Sequence, residues 1–202
     1  MKKLFFIMAL AIVSMSMSAQ GLKGTWFAGG EFSYSSNKGD DGIRNLNTMV
    51  LPIAGTFVSP SVAVGAGIGY IGGKKKDGGE QIGKLNQFVF KPLVRKYWNI
   101  SGGLFFYGQA ALPLIFGSGE ATSGEGKYNV TNIGLELSPG FDYVINSWLT
   151  IETSFTIFSA GLNKVKPKGG DASTNWNIGA APFNSIDDRK VGDLQVGVKF
   201  LF

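Results

Sequence analysis

Eight charged residues, Glu31, Lys91, Arg95, Glu136, Asp142, Glu152, Asp193 and Lys199, lie in runs where one parity is largely apolar and they occupy the other. Side chains two apart in a strand share a face, so each charge sits on the face opposite the apolar one. Three cations and five anions facing a common interior invite three kinds of chemistry. The first is charge pairing, which an enclosed interior requires because an unpaired buried charge is very costly. The second is a path for protons or small ions. The third is a glycosidase pair, with Glu31 and Glu152 as its two carboxylates, and this needs a separation that sequence does not supply. A salt-bridged structural network is the principal expectation.

The composition closes off other chemistry. The chain has no histidine and no cysteine. No serine is activated by imidazole, no thiolate nucleophile exists, and imidazole or thiolate zinc sites cannot be built. No disulfide framework or lipid-anchored cysteine is available. We expect no enzyme, cofactor or metal. Gly67-Ile68-Gly69-Tyr70-Ile71-Gly72 matches G-x-G-x-x-G, but the lysine- and glycine-rich segment after it is no helix, as a dinucleotide site requires. The glycines are better read as making room in a crowded interior. Asp40-Asp41 and Asp187-Asp188 lack an EF-hand pattern and read as solvated charge.

The first segment reads as an export signal. Lys2 and Lys3 precede an apolar run from Leu4 to Val13 and small residues up to Ala19, so we place cleavage after Ala19 and a single mature domain over residues 20–202. Losing the two lysines lowers the net charge from +5 to +3, too little to argue for nucleic acid. No later run approaches the roughly 20 apolar residues of a membrane helix. A membrane reading therefore requires a barrel, the other structure that satisfies every backbone group in lipid.

Alternation predicts eight strands: Gly24 to Ser36, Leu46 to Val58, Val62 to Tyr70, Leu85 to Trp98, Leu104 to Phe116, Tyr128 to Ile145, Leu149 to Phe158 and Val191 to Phe202. In the last, Leu194, Val196, Val198, Phe200 and Phe202 form the apolar face. Short turns at Ser59 to Ser61, Asn99 to Gly103 and Asn146-Ser147 alternate with polar loops at Asn37 to Asn45, Gly72 to Lys84, Gly117 to Lys127 and Asn163 to Lys190. Pro52, Pro92 and Pro139 each precede a short turn by seven residues, with Phe57, Tyr97, Trp98 and Tyr143 close to the turns as an expected aromatic girdle. Proline lacks the ladder donor, so each predicts a bulge or local break. The loops carry Lys74, Lys75 and Lys76, then Lys164, Lys166 and Lys168, as candidate contacts for lipopolysaccharide phosphates. Trp176, Ile178, Phe183 and Ile186 form an apolar cluster expected to meet a partner.

The signal segment, the proline-to-turn units, the alternation and the terminal Phe202 together resemble the small eight-stranded outer-membrane β-barrel family, the group that includes OmpX and the OmpA barrel domain. The resemblance covers Gly21 to Phe202. It implies an all-β, antiparallel, up-and-down transmembrane barrel in the bacterial outer membrane, with short periplasmic turns and longer outer loops. It also implies contact with outer-membrane lipid and lipopolysaccharide, and an assembly machinery that reads Phe202. The implied role is structural or adhesion-like, through the loops. Barrel enzymes of such membranes depend on histidine, which is missing here. Two alternatives stand beside this reading: a narrow channel for ions or small solutes, and a soluble lipocalin-like barrel with the faces inverted.

Overall fold

A computed structural model describes residues 22–39, 42–121, 126–180 and 195–202. The chain forms a closed eight-stranded antiparallel β-barrel. The first four walls are single segments: β1 (Trp26–Lys38), β2 (Arg44–Ser59), β3 (Val62–Asp77) and β4 (Glu80–Ser101). The fifth is split into β5 (Leu104–Ala111) and β6 (Leu114–Ala121), and the sixth is β7 (Gly126–Asn146). The seventh is split into β8 (Leu149–Ser154) and β9 (Phe158–Pro167). The eighth consists of β10 (Ser173–Ala180) against β9 and β11 (Gln195–Leu201) against β8. Each wall pairs with the next along the chain, and β11 closes onto β1 through Phe27↔Leu201 and Ala28↔Phe200. Trp26 and Phe202 complete the seam by exchanging backbone hydrogen bonds of 2.7 and 2.9 Å.

The three expected prolines mark ladder irregularities, and they do so in two ways. The β2–β3 ladder skips Leu51 and Pro52 with no change of register. Pro92 sits where β5 gives way to β6, again in one register, and Leu112 N–H donates to its carbonyl at 3.0 Å. At Pro139 the register does change. Gly140 pairs with Ser154 and Leu137 with Phe158, so Phe155, Thr156 and Ile157 oppose only Ser138 and Pro139. That extra residue is a bulge, which reverses the facing of everything beyond it in the seventh wall.

Alternation sorts the walls into two environments. Phe27, Leu51, Ile53, Phe57, Tyr97, Tyr107 and Leu201 are buried inside, whereas Phe32, Ile68, Phe88, Ile133 and Val198 are exposed on the outside. Of the expected girdle, Trp98 and Tyr143 face outward, but Phe57 and Tyr97 need correction. Phe57 and Tyr97 point inward and are 2% and 3% exposed, because they share parity with Ile53 and Arg95. Trp98 is joined on the outside near the short turns by Phe106 and Phe141, packed in series with centroids 5.6 Å apart, and by Trp148 stacked on Phe200 at 6.1 Å.

The expected loops are mostly strand. β3 and β4 run on to a two-residue turn at Gly78 and Gly79, whose φ of +55° and +102° match a type I′ hairpin. Lys74, Lys75 and Lys76 thus belong to β3, not to a loop. The first connection shrinks to 39–43 and the third to 122–125. In the fourth, Lys164 and Lys166 lie in β9, Lys168 in the following turn, and Trp176 and Ile178 in β10, an unforeseen strand. The final strand is described from Gln195 onward. The extensions of β3 and β4 are polar on both faces and carry no hydrophobic period by which to recognise a strand, whereas β10 does alternate, with Trp176 and Ile178 on one face, but over too few apolar residues to stand out.

Candidate functional site

The charged residues of the interior come from walls far apart in sequence, and strand parity brings them together. Lys91 on β4 reaches Glu31 on β1 and Glu136 on β7, each at 3.1 Å. Two same-face positions lower, Arg95 binds Glu152 of β8 through both terminal nitrogens, at 2.6 and 3.3 Å. Its Nε donates to Gln109 of β5 at 2.6 Å. Lys199 of β11 pairs with Asp142 of β7 and lies 3.5 Å from Glu152. Glu152 therefore joins the two deeper cations. The bidentate arginine geometry fixes direction as well as charge. Asp193 and Phe183 lie outside the described residues, as do Asp40, Asp41, Asp187, Asp188, Ile186 and the signal segment.

Aromatic rings complete the set. Arg95 sits over the Tyr107 ring at 4.9 Å and the Phe27 ring at 5.9 Å, and Lys199 over Tyr97 at 5.3 Å. The Tyr97 hydroxyl accepts from Lys199 at 3.3 Å and from Arg95 at 3.5 Å. Phe27, Phe57, Tyr97 and Tyr107 form a chain with centroids between 5.2 and 6.1 Å. Rings facing cations are attractive through their quadrupoles, which helps to hold charge in a dry place. Leu22 packs into the same cluster from the N-terminal side. The half of the lumen nearer the short turns is thus filled by side chains, as an eight-stranded barrel allows.

Glycines make this filling possible. A Cβ on Gly55 would strike the Phe27 ring, and one on Gly140 the Tyr107 ring and the Thr153 carbonyl. Gly67 and Gly69 of the G-x-G-x-x-G stretch lie against Leu51, where a Cβ at Gly67 would stand 3.1 Å from it. That is steric accommodation, with no helix following.

Above Lys91 the lumen opens into a cavity of about 450 Å³. One wall is apolar, with Met49, Ile71 and Ile115, and the other polar, with Asn132, Ser138 and Asn177. Its floor is the Glu31–Lys91–Glu136 triad. Glu31 and Glu152 do not face one open space, since Glu152 is held below by Arg95 and Lys199. Sequence reasoning missed Gln109, Tyr97 and Tyr107 as polar partners. Their odd parity on β4 and β5, shared with Arg95, was the available signal.

No protein-family model matches the chain, and no significant relative was found among curated proteins.

Proposed function

We propose that this protein is a bacterial outer-membrane barrel with a structural and surface-interaction role, sealed at its base and presenting long hairpins beyond the membrane. One observation carries the reading, the height of the outward apolar belt. Along β4 the outward residues Phe88, Phe90, Pro92, Val94 and Trp98 are interrupted only by Lys96, whose amine turns to Ser61 at the turn end, at 2.6 Å. The ten steps from Phe88 to Trp98, at about 3.3 Å each, make about 33 Å along the strand, or about 25 Å at a tilt near 40°. That is the apolar height of an outer-membrane barrel. The belt is rimmed by Trp98, Phe141 and Trp148 at one end and by Phe32, Tyr70 and Phe88 at the other. Beyond Phe88, β4 continues for Glu80–Gln87, about 20 Å of hairpin clear of the belt.

The same faces weigh against a soluble lipid-binding barrel, which would need the apolar residues inside and the paired charges outside. The filled lumen weighs against a channel, because Arg95, Lys199, Phe57 and Tyr107 are all at most 5% exposed. The resemblance to the OmpX-like group agrees with this reading. Refolding into lipid vesicles followed by electrophoresis with and without boiling tests the membrane assignment. A heat-dependent mobility shift supports it, whereas a soluble product without the shift refutes it. Planar-bilayer recording then tests the seal, and a steady conductance would restore the channel.

A further inference from the structure

We infer that the outward wall formed by β4, β6, β7 and β9 holds a phosphorylated amphiphile, with phosphate on Lys84, Lys127 and Lys166 and an acyl chain on Phe116, Ile133 and Trp176. The proposal rests on the membrane reading and adds to it a defined lipid-binding site on one side of the barrel. The pairing registers set the residues in rows across the barrel's outer face. The row Phe90–Leu114–Ile133–Leu162–Trp176 lies in the apolar belt. The next, Phe88–Phe116–Thr131–Lys164, is its upper edge. Above it comes Asn86–Ser118–Asn129–Lys166, then Lys84–Glu120–Lys127. Lys168 joins the top row, its N–H bonded to the Lys127 carbonyl at 2.7 Å.

This sector therefore changes from aromatic and aliphatic, through amide and hydroxyl, to cationic within three rows. Two residues along a tilted strand make a row spacing of about 5 Å, so the whole change takes about 15 Å. A lipid with phosphates on its head has the same order of chemistry along its length. The five lysines are exposed, and the one carboxylate among them, Glu120, makes no ion pair with a described residue. None of the lysines does either, and five lysines against Glu120, which the register sets between Lys84 and Lys127, leave the sector with a net charge of +4. The surface is concave, about 590 Å³, lined by Lys84, Asn86, Glu120, Lys127, Lys166 and Lys168. Lysine is a compact point charge suited to phosphate. Attraction to anionic headgroups is strongest at this height. The position directly above the belt selects a lipid-borne phosphate over a free one, because an adjoining apolar wall gives a free ion nothing.

The test uses the refolded wild type and the variant Lys84→Gln/Lys127→Gln/Lys166→Gln. A control of equal charge change, Lys38→Gln/Arg44→Gln/Lys74→Gln, lies on the β1–β3 side. Each is titrated by calorimetry with a diphosphorylated, acylated glucosamine disaccharide in mixed micelles, and with its dephosphorylated form. Wild type should bind the phosphorylated form more tightly by about tenfold or more, the first variant should lose that preference, and the control should keep it. Equal losses in both variants would reduce the site to bulk charge and overturn it. Competition by millimolar inorganic phosphate would overturn the lipid assignment. The boiling assay on the same samples separates the two readings: a normal mobility shift with no phosphate preference refutes this site alone, and loss of the shift in wild type refutes the membrane reading.

Discussion

Replacing Lys199 with methionine asks whether the inner network holds the barrel together or merely occupies it. Lys199 is 2% exposed and its partner Asp142 3%. No other described cation pairs with Asp142, so Lys199→Met strands a carboxylate in the interior. Removing one partner of a buried ion pair costs about 3–5 kcal/mol. Glu152 softens nothing at Asp142, and itself keeps Arg95 at 2.6 Å when Lys199 is gone. Adding Asp142→Asn then removes the stranded charge at nearly constant shape. The double variant should return to within about 2 kcal/mol of wild type, the residue of a buried amide with incomplete partners. The assay is urea unfolding of the refolded barrel in micelles by tryptophan fluorescence, with equal slopes required before midpoints are compared. A loss below about 1 kcal/mol for Lys199→Met would refute the reasoning. So would strict additivity of the two substitutions, since uncoupled residues add.

Arg95→Lys keeps the charge but loses the fork that binds Glu152 and Gln109 together, and we expect a loss of about 2 kcal/mol in the same urea assay. Gly140→Ala forces a methyl group into the Tyr107 ring and should lower stability by about 1–3 kcal/mol. Gly108→Ala, whose nearest neighbour would be Trp98 at an ordinary 3.7 Å, should be close to neutral in parallel melts. Single-tryptophan variants in vesicles with brominated lipids should place Trp98 and Trp148 near one surface and Trp176 near the other. Equal depths for all three would contradict the belt.

Most of the barrel was legible because its lower half has different surroundings on its two faces. In Val62 to Tyr70, Val64, Ile68 and Tyr70 stand outward against Ala63, Gly65 and Gly67 inward, and the period of two survives in the sequence. The charges on the inner parity could be named for the same reason. Legibility failed where both faces meet water. Lys74, Lys75 and Lys76 occupy successive strand positions with no hydrophobic period, whereas in β10 Trp176 and Ile178 do alternate with Asn175 and Asn177, too briefly to stand out among polar neighbours. Proline chemistry pointed to an irregularity at Pro139, but not to the extra residue opposite it in Phe155–Ile157, beyond which parity reverses. Partners such as Gln109 were missed because an uncharged amide inside a wall does not stand out until its register against Arg95 is known.

The network and the hairpins are two consequences of one constraint. A barrel whose outside is apolar leaves much of its apolar surface outside its own core, so its cohesion leans on ladders and on what fills its interior. Filling the base with the Arg95–Glu152–Lys199–Asp142 chain under a cover of Phe27, Tyr97 and Tyr107 ties β4, β7, β8 and β11 by directional contacts. Those contacts favour one register over its neighbours, since a slip of one residue would turn every charge outward. Four of the eight walls supply the pairs, and the glycines at 55 and 140 give the rings their places. With the base fixed in this way, the β3–β4 hairpin needs no packed core of its own to stand clear of the belt. Its two strands continue ladders already registered below, so their sequence is free to be polar on both faces. Interaction chemistry can therefore change in the upper rows without disturbing the fold, and a substitution at Lys75 should leave the urea midpoint of the barrel where it was.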